Sequence, residues 1–376
     1  MLRGDRAAGA EVLRFKHVDM LLETGATASR RRSASQWGTK EMLPTTILAL
    51  ESALASSVTI TIDVLAMANR ICASIGRPSS FDIRIVGPGA PLFRPFLPMP
   101  EATHDEPSLF IIPAQGLSKS DCYRSRLAEP DAPAAREVIK AAANVGAHVT
   151  SSCTGSLLLA STGLLDRRRA TSAWWLAAVF NELYPAVALD TDELVLSDGA
   201  ITTAGAAMAQ IDLMVGLVAR YAGAEIAEGC ARRMILDERR SQIPYMAIGL
   251  LAASSESIAR AAAWARPRLG ENISVNDIAV AVGQSPRTFS RRVAAATGMS
   301  PVRFLQQLRV ERAVELIETT TLPFAEVAYR VGYSDPSTLR GLIRRGSGLG
   351  PRELRARLRS SGGRSLPTPA GLAKKP

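Results

Sequence analysis

The 376-residue chain is poor in the residues that staple small folds or hold metals, with four cysteines and three histidines. Cys72, Cys122, Cys153 and Cys230 are scattered, with no CxxC pair and no histidine at ligand spacing. That pattern excludes a disulfide scaffold and a zinc ribbon, and it suits a reducing compartment. No run of about 18 apolar residues is available to span a membrane. The best candidate, 204–219, is interrupted by Gln210 and Asp212. The start reads as no targeting segment. Arg14, Lys16, His17 and Asp19 break any apolar signal core, and Asp5, Glu11, Asp19 and Glu23 are too acidic for a transit peptide. Wholesale disorder is excluded as well, since 47% hydrophobic and 21% charged residues make a globular composition. The expectation is a cytoplasmic protein of two domains, with no membrane partner, no metal and no cofactor.

What the chain does have is charge in one place. The net charge is +10. From Ser255 to Pro376 there are 20 Lys and Arg against 9 Asp and Glu, while the remainder holds 25 basic and 26 acidic residues. A neutral body with a basic end implies that one part faces a polyanion and the other does something else.

The texture changes along the chain in the same sense. Between about 43 and 222, short β-rich runs (45–50, 81–86, 109–113, 148–152, 194–197, 201–203) alternate with Ala/Leu-rich helical stretches (59–74, 134–144, 155–161, 174–182, 208–221). Nearly continuous apolar strands alternating with helices predict an α/β sandwich around a mostly parallel, flavodoxin-like sheet. Beyond 223 only helical patterns occur, which predicts an all-α C-terminal part. The boundaries read as a disordered extension over 1–40, an α/β domain over 41–222, a helical linker over 223–265, a basic all-α domain over 266–360 and a flexible tail over 361–376.

The basic third contains an internal repeat. Residues 275–283 (VNDIAVAVG) match 324–332 (FAEVAYRVG) at an offset of 49, and 297–301 match 347–351 at an offset of 50. Each unit has a helix with a small residue (Ala279, Ala328), a glycine four residues on (Gly283, Gly332), then a cap and proline (Ser285-Pro286, Asp335-Pro336) opening a second helix. The alanine allows a close helix crossing and the glycine a tight turn, which is the outline of a helix-turn-helix. The outward faces of the second helices carry Arg287, Thr288, Ser290 and Arg291 in one unit and Ser337, Thr338, Arg340 and Arg344 in the other. Arginine pairs with guanine edges in the major groove, so these eight residues are the candidate base-reading set. Arg292, Arg309, Arg345, Arg352, Arg355 and Arg357 read as phosphate contacts or surface charge. Residues 301–319 read as one spacer helix with a buried stripe of Phe304, Leu305, Leu308, Ala313, Leu316 and Ile317.

Residues 266–358 resemble the AraC/XylS-type DNA-binding domain, through SVNDIAVAVGQSPRTFSRRVAAATGMSPVRFLQQLRVERAVELIE and AEVAYRVGYSDPSTLRGLIRRGSGLGPRELRARL. The resemblance implies two helix-turn-helices that bind double-stranded promoter DNA and recruit RNA polymerase. Gly341 departs from it, standing where relatives often place a polar or basic contact residue.

In the α/β part, AHVTSSCTGSLLLASTGLLDRRRATSAWW runs strand, sharp turn at Cys153, then helix. This is the geometry of a nucleophile elbow, where a helix N-terminus biases a thiol towards thiolate. Together with LSDGAITTAGAAMAQIDLMVGLVARYAG it resembles the class I glutamine-amidotransferase-like superfamily, in the subgroup of PfpI-type proteases and isonitrile hydratases. Active relatives have a histidine just before the tryptophan and a glutamate near the first helix. Here those positions are Ala173 and Ser57. His104 and His148 remain as candidate bases without family support. Cys153 is thus a pocket-lining or structural residue, a working nucleophile, or a redox sensor. Fusions of the two domain types are transcription regulators. The resemblance implies an α/β domain, without enzymatic activity, that dimerises and binds a small nitrogen-containing effector at a pocket lined by Ser57, Cys153, Thr154, Ala173 and Trp174. Trp174 or Trp175 would then stack on a quaternary ammonium or pack in the core. The rival readings are a thiol-dependent amidase or isonitrile hydratase fused to a DNA-binding domain, and an architectural DNA binder with a vestigial body.

Overall fold

The computed structural model describes residues 42–116, 122–237, 239, 241–248, 251, 255–347 and 349–360. The expected disordered extension over 1–40 and flexible tail over 361–376 lie outside the described residues.

The body is built on a six-stranded sheet in the order β2-β1-β3-β4-β8-β7. Its strands are β1 (Leu43–Leu48), β2 (Phe81–Val86), β3 (Leu109–Ile112), β4 (His148–Ser152), β7 (Val195–Asp198) and β8 (Ile201–Ala204). Neighbours pair in parallel except β7, which returns antiparallel on β8 at the edge. The remaining strands, β5 (Arg169–Ala170) and β6 (Ala188–Leu189), form a separate parallel pair. Two-residue strands carry no readable period, and this pair was not expected from sequence.

Side-chain alternation splits the core into two layers. Ile47, Leu109 and Ile111 face α1 (Ala55–Ser74), while Leu48, Phe110 and Ile112 face α2 (Asp131–Asn144) and α3 (Gly155–Ala160). On the second face α4 (Ala177–Leu183) adds Phe180. On the first face α5 (Ala209–Ala222) adds Leu213, Met214 and Leu217. α6 (Ala224–Met234) also buries Ile226, Ala227 and Cys230 in that layer. The sequence placed α6 in the linker. Its apolar face instead closes the α/β core, so the chain leaves the body only after residue 234.

The helical part follows with α7 (Glu256–Ala265), α8 (Val275–Ala281), α9 (Pro286–Thr297), α10 (Pro301–Thr319), α11 (Phe324–Arg330), α12 (Pro336–Ser347) and α13 (Pro351–Ser360). It has two cores joined by α10. Phe304, Leu305 and Leu308 pack with Ile278, Phe289 and Val293. Val310, Ala313, Leu316 and Ile317 pack with Val327, Ala328, Leu339 and Ile343. At about 1.5 Å per residue α10 is about 28 Å long, a rigid bar of the order of one DNA turn. No helix among the described residues is long and apolar enough to cross a membrane.

Candidate nucleic-acid interface and sensor site

The repeat seen in the sequence is a repeat in space. α8 and α9 form one helix pair, α11 and α12 the other, with ends displaced by the same 49 and 50 residues. Ser274 closes a capping box with Asp277 at the start of α8. Ser285 caps α9, its hydroxyl accepting from the Thr288 amide at 3.2 Å, and Asp335 accepts from the Ser337 amide at 2.8 Å. The exposed carboxyls of Asp277 and Asp335 are held below their ordinary range, by bonds from Ser274 and Ser337 respectively. The turns pass through Gly283 at φ 68° and Gly332 at φ 84°.

Because Phe289 and Val293 point inward on α9, and Leu339 and Ile343 on α12, the opposite faces look out. Arg287 and Arg291 are exposed, whereas Thr288 and Ser290 are half-buried, Thr288 being drawn into the cap by a bond from the Ser285 hydroxyl at 3.0 Å. Ser337, Thr338, Arg340 and Arg344 are all exposed, and the Arg340 guanidinium lies 5.6 Å over the Phe324 ring. Arg292, Arg345 and Arg352 are exposed too. Two arginines expected as phosphate contacts or surface charge serve the fold instead. Arg309 lies 5.4 Å over the Tyr333 ring and donates to the Ile273 carbonyl. Arg355 donates to the Leu322 carbonyl at 2.7 Å and to that of Ile317 near the end of α10. The Ile317 carbonyl is one that the ending helix leaves open. The side chain of Arg357 lies outside the described residues.

In the body, β4 ends in a sharp turn at Cys153, which sits at φ 51°. α3 begins two residues on and crosses so tightly that a Cβ on Gly155 would lie 2.6 Å from the Pro113 carbonyl oxygen. Thr154 ties this turn to the end of β3, bonding both the amide and the carbonyl of Gln115 at 2.6 and 2.7 Å. The Ser57 hydroxyl accepts from the Ala114 amide at 3.0 Å, and Ser172 donates to the Cys153 carbonyl at 2.9 Å. Ser57, Cys153, Thr154 and Ala173 therefore gather at the carboxyl ends of the strands, and all are buried.

The elbow does not make the expected thiolate. Burial pushes the Cys153 thiol up to about 11, against the opposing pull of the Thr154 amide and hydroxyl and the Ala207 amide. Neither candidate base is in reach. His148 opens β4, so four to five residues at about 3.3 Å each separate it from the elbow. Its ring nitrogens bond the Tyr221 and Thr202 hydroxyls at 2.8 Å. His104 bonds Thr46 at 3.1 Å and faces Asp82 at 3.4 Å. Among the described residues no group of three or more His, Cys, Asp or Glu is arranged to hold a metal ion.

Trp174 parts company with the other four residues assigned to the pocket. Its side chain is buried in the core of the first helix pair, with Met246, Ile248 and Ile258, and stands edge-on to the half-exposed Trp175 at 5.4 Å. It forms a joint between body and helical part. Three residues that sequence reasoning missed complete the joint. Gln242, from the segment leading out of the body, donates through Nε2 to the carbonyls of Ser172, Thr191 and Glu193 at 3.0 to 3.2 Å. Its Oε1 accepts from the Trp174 amide at 3.3 Å. Gly298, just past α9, abuts α4, where an added Cβ would lie 2.4 Å from that of Ala177. Arg303 on α10 is ion-paired with Asp192. The one signal in the sequence was Asp190-Thr191-Asp192-Glu193, an acidic run in a chain whose other end is basic.

Comparison with known proteins follows the same division. Residues 278–357 match the helix-turn-helix domain family and residues 108–220 the DJ-1/PfpI family. The HTH-type transcriptional regulator GbdR of Pseudomonas aeruginosa is 28% identical over 220 residues, 58% of this chain and 60% of that one. The chain thus spans about three fifths of GbdR. The HTH-type transcriptional regulator GlxA of Rhizobium meliloti is 26% identical over 245 residues, 60% of this chain and 71% of its own. A transcriptional regulator structure from Vibrio parahaemolyticus aligns with a TM-score of 0.42 at 20% identity, covering 52% of this chain and 100% of its own.

Proposed function

We propose that this chain, whose segments match the DJ-1/PfpI family and the helix-turn-helix domain family, is a sequence-specific DNA-binding transcription regulator of the AraC type whose α/β body senses and does not catalyse. The observation that carries this reading is the pair of capped helices α9 and α12. They are held on one rigid bar, with exposed arginines on their outer faces and aliphatic or aromatic side chains on their inner ones. Arg287, Arg291, Arg340 and Arg344, with Thr288, Ser290, Ser337 and Thr338, read bases in two successive major grooves of double-stranded promoter DNA. Exposed Arg292, Arg345 and Arg352 neutralise phosphates and set the salt dependence. The body carries the effector site at the elbow, lined by Ser57, Cys153, Thr154 and Ala173, and takes a small nitrogen-containing molecule. The regulator works in the cytoplasm as a homodimer and recruits RNA polymerase.

An amidase or hydratase reading has one feature in its favour, the strained backbone at Cys153. A thiol raised to about 11, with both histidines bonded elsewhere, weighs against it.

The test is selection of duplexes from a random pool by the full chain, followed by titration of selected and scrambled duplexes. An Arg291→Ala variant should lose affinity for the selected duplex by about 1–3 kcal/mol while binding scrambled DNA nearly as before. Equal losses on both duplexes would make Arg291 a phosphate contact.

A further inference from the structure

The acidic turn Asp190–Glu193 lies where the fold brings body and DNA-reading part together. β7 runs antiparallel, so its approach sits at the carboxyl edge of the parallel strands. Val195 pairs with Ala204, and Ala204 with Ser152, one residue before the elbow. The turn and the helical part enclose a cleft of about 560 Å³. One wall carries Asp190, Asp192 and Glu193, and the other Arg303, Arg344 and Arg345. Across it Asp192 pairs with Arg303, and beneath it the Asp192 carbonyl accepts from the Gln242 amide at 3.0 Å.

Arg344 is thus claimed twice. It belongs to the face of α12 that would enter a groove, and it lines a cleft whose far wall is three carboxylates. Charges across a cleft of this size lie within a Debye length of one another at physiological salt, and carboxylates offer arginine the same pairing as phosphates. We propose that the acidic turn 190–193 is an internal competitor of DNA. In the docked state it holds α10 through Arg303 and draws the second reading helix towards the body, and duplex binding must displace it. This rests on the DNA-reading function proposed above. The Asp192–Arg303 pair is about one-third exposed on each side, and pairs of that kind are individually weak. The turn therefore biases the second head and leaves it able to open.

The experiment uses four forms of the full chain: wild type, Asp192→Arg, the swap Asp192→Arg/Arg303→Asp, and Glu106→Arg. Glu106 is exposed and precedes β3, at the other end of the sheet, so its variant makes the same charge change away from the cleft. Each form is titrated with a selected duplex, and amide exchange over 241–245 is followed without DNA. Asp192→Arg should bind about twofold to fivefold tighter and exchange faster at Gln242. The swap should restore both values, and Glu106→Arg should match wild type. Unchanged exchange in Asp192→Arg, equal tightening by Glu106→Arg, or a swap that stays open each overturns the proposal while leaving DNA reading intact. If no form distinguishes any duplex from scrambled DNA, the DNA-reading function fails, and the competitor with it.

Discussion

At the scale of single residues, chemistry here is decided by how deeply a group is buried. The elbow at Cys153 was legible because strand, cysteine and Thr154-Gly155 succeed one another in the sequence. Its acidity was not, because desolvation comes from side chains distant in the chain. Between a thiol at about 9 and one at about 11, the thiolate fraction near pH 8 falls about a hundredfold. Iodoacetamide should therefore alkylate Cys153 in the native protein at least about a hundredfold more slowly than in the unfolded chain, as read by peptide mass spectrometry. Asp212 shows the same effect on a carboxyl. Burial raises it to about 6, opposed by Arg239, which bonds it at 2.5 Å. Folded Asp212 holds its proton more tightly than the unfolded chain does. The group therefore costs nothing near pH 3, costs progressively more between about pH 4 and 6, and costs about 3 kcal/mol above that. Wild type should lose melting temperature across this window relative to Asp212→Asn, and a constant difference between the two from pH 4 to 8 would contradict it. Arg355 and Arg309 belong here as well. Their charge was visible in the sequence, but the carbonyls that hold them become neighbours only on folding.

At the scale of elements, local signals were sufficient for the two helix pairs. The caps at Ser285 and Asp335, the prolines at the first helical position and the small Ala279 and Ala328 act within a few residues, so the sequence located both helix pairs. The two turn glycines nonetheless differ. A Cβ at Gly283 would meet nothing within 4 Å, whereas one at Gly332 would lie 2.2 Å from the Leu269 carbonyl oxygen. Gly283→Ala should cost only the left-handed backbone strain, about 1–2 kcal/mol. Gly332→Ala should add an overpacking penalty of about 1–3 kcal/mol. Calorimetric unfolding of the two variants measures the difference. α6 marks the limit of such reading. Its amphipathic pattern announced a helix, but whether its apolar stripe faced a linker or the sheet was a matter of which surface remained uncovered.

At the scale of the whole molecule, the charge asymmetry acquires a geometry. The basic third is docked on a neutral body by one buried tryptophan, one buried glutamine, the close approach of Gly298 to α4 and a weak ion pair, with an acidic turn lining the cleft beside its second head. Ser172 bonds the Cys153 carbonyl, and two residues later Trp174 is in the helical core, so the elbow and the first helix pair are joined by a short stretch of backbone. Tightening of duplex binding in Asp192→Arg is the prediction at this scale, since it requires the acidic turn and DNA to compete for the basic wall of the cleft.

The amino-acid sequence determined the order and kind of the elements, the duplication, the residues on each helix face and the elbow itself. All of these follow from periodicity, caps and turns that operate over a few residues. Tertiary structure alone decided that Trp174 leaves the pocket for the helical core, that Cys153 keeps its proton and that Asp190–Glu193 faces Arg344. Each depends on desolvation or proximity between segments tens to more than a hundred residues apart, and no local pattern encodes that.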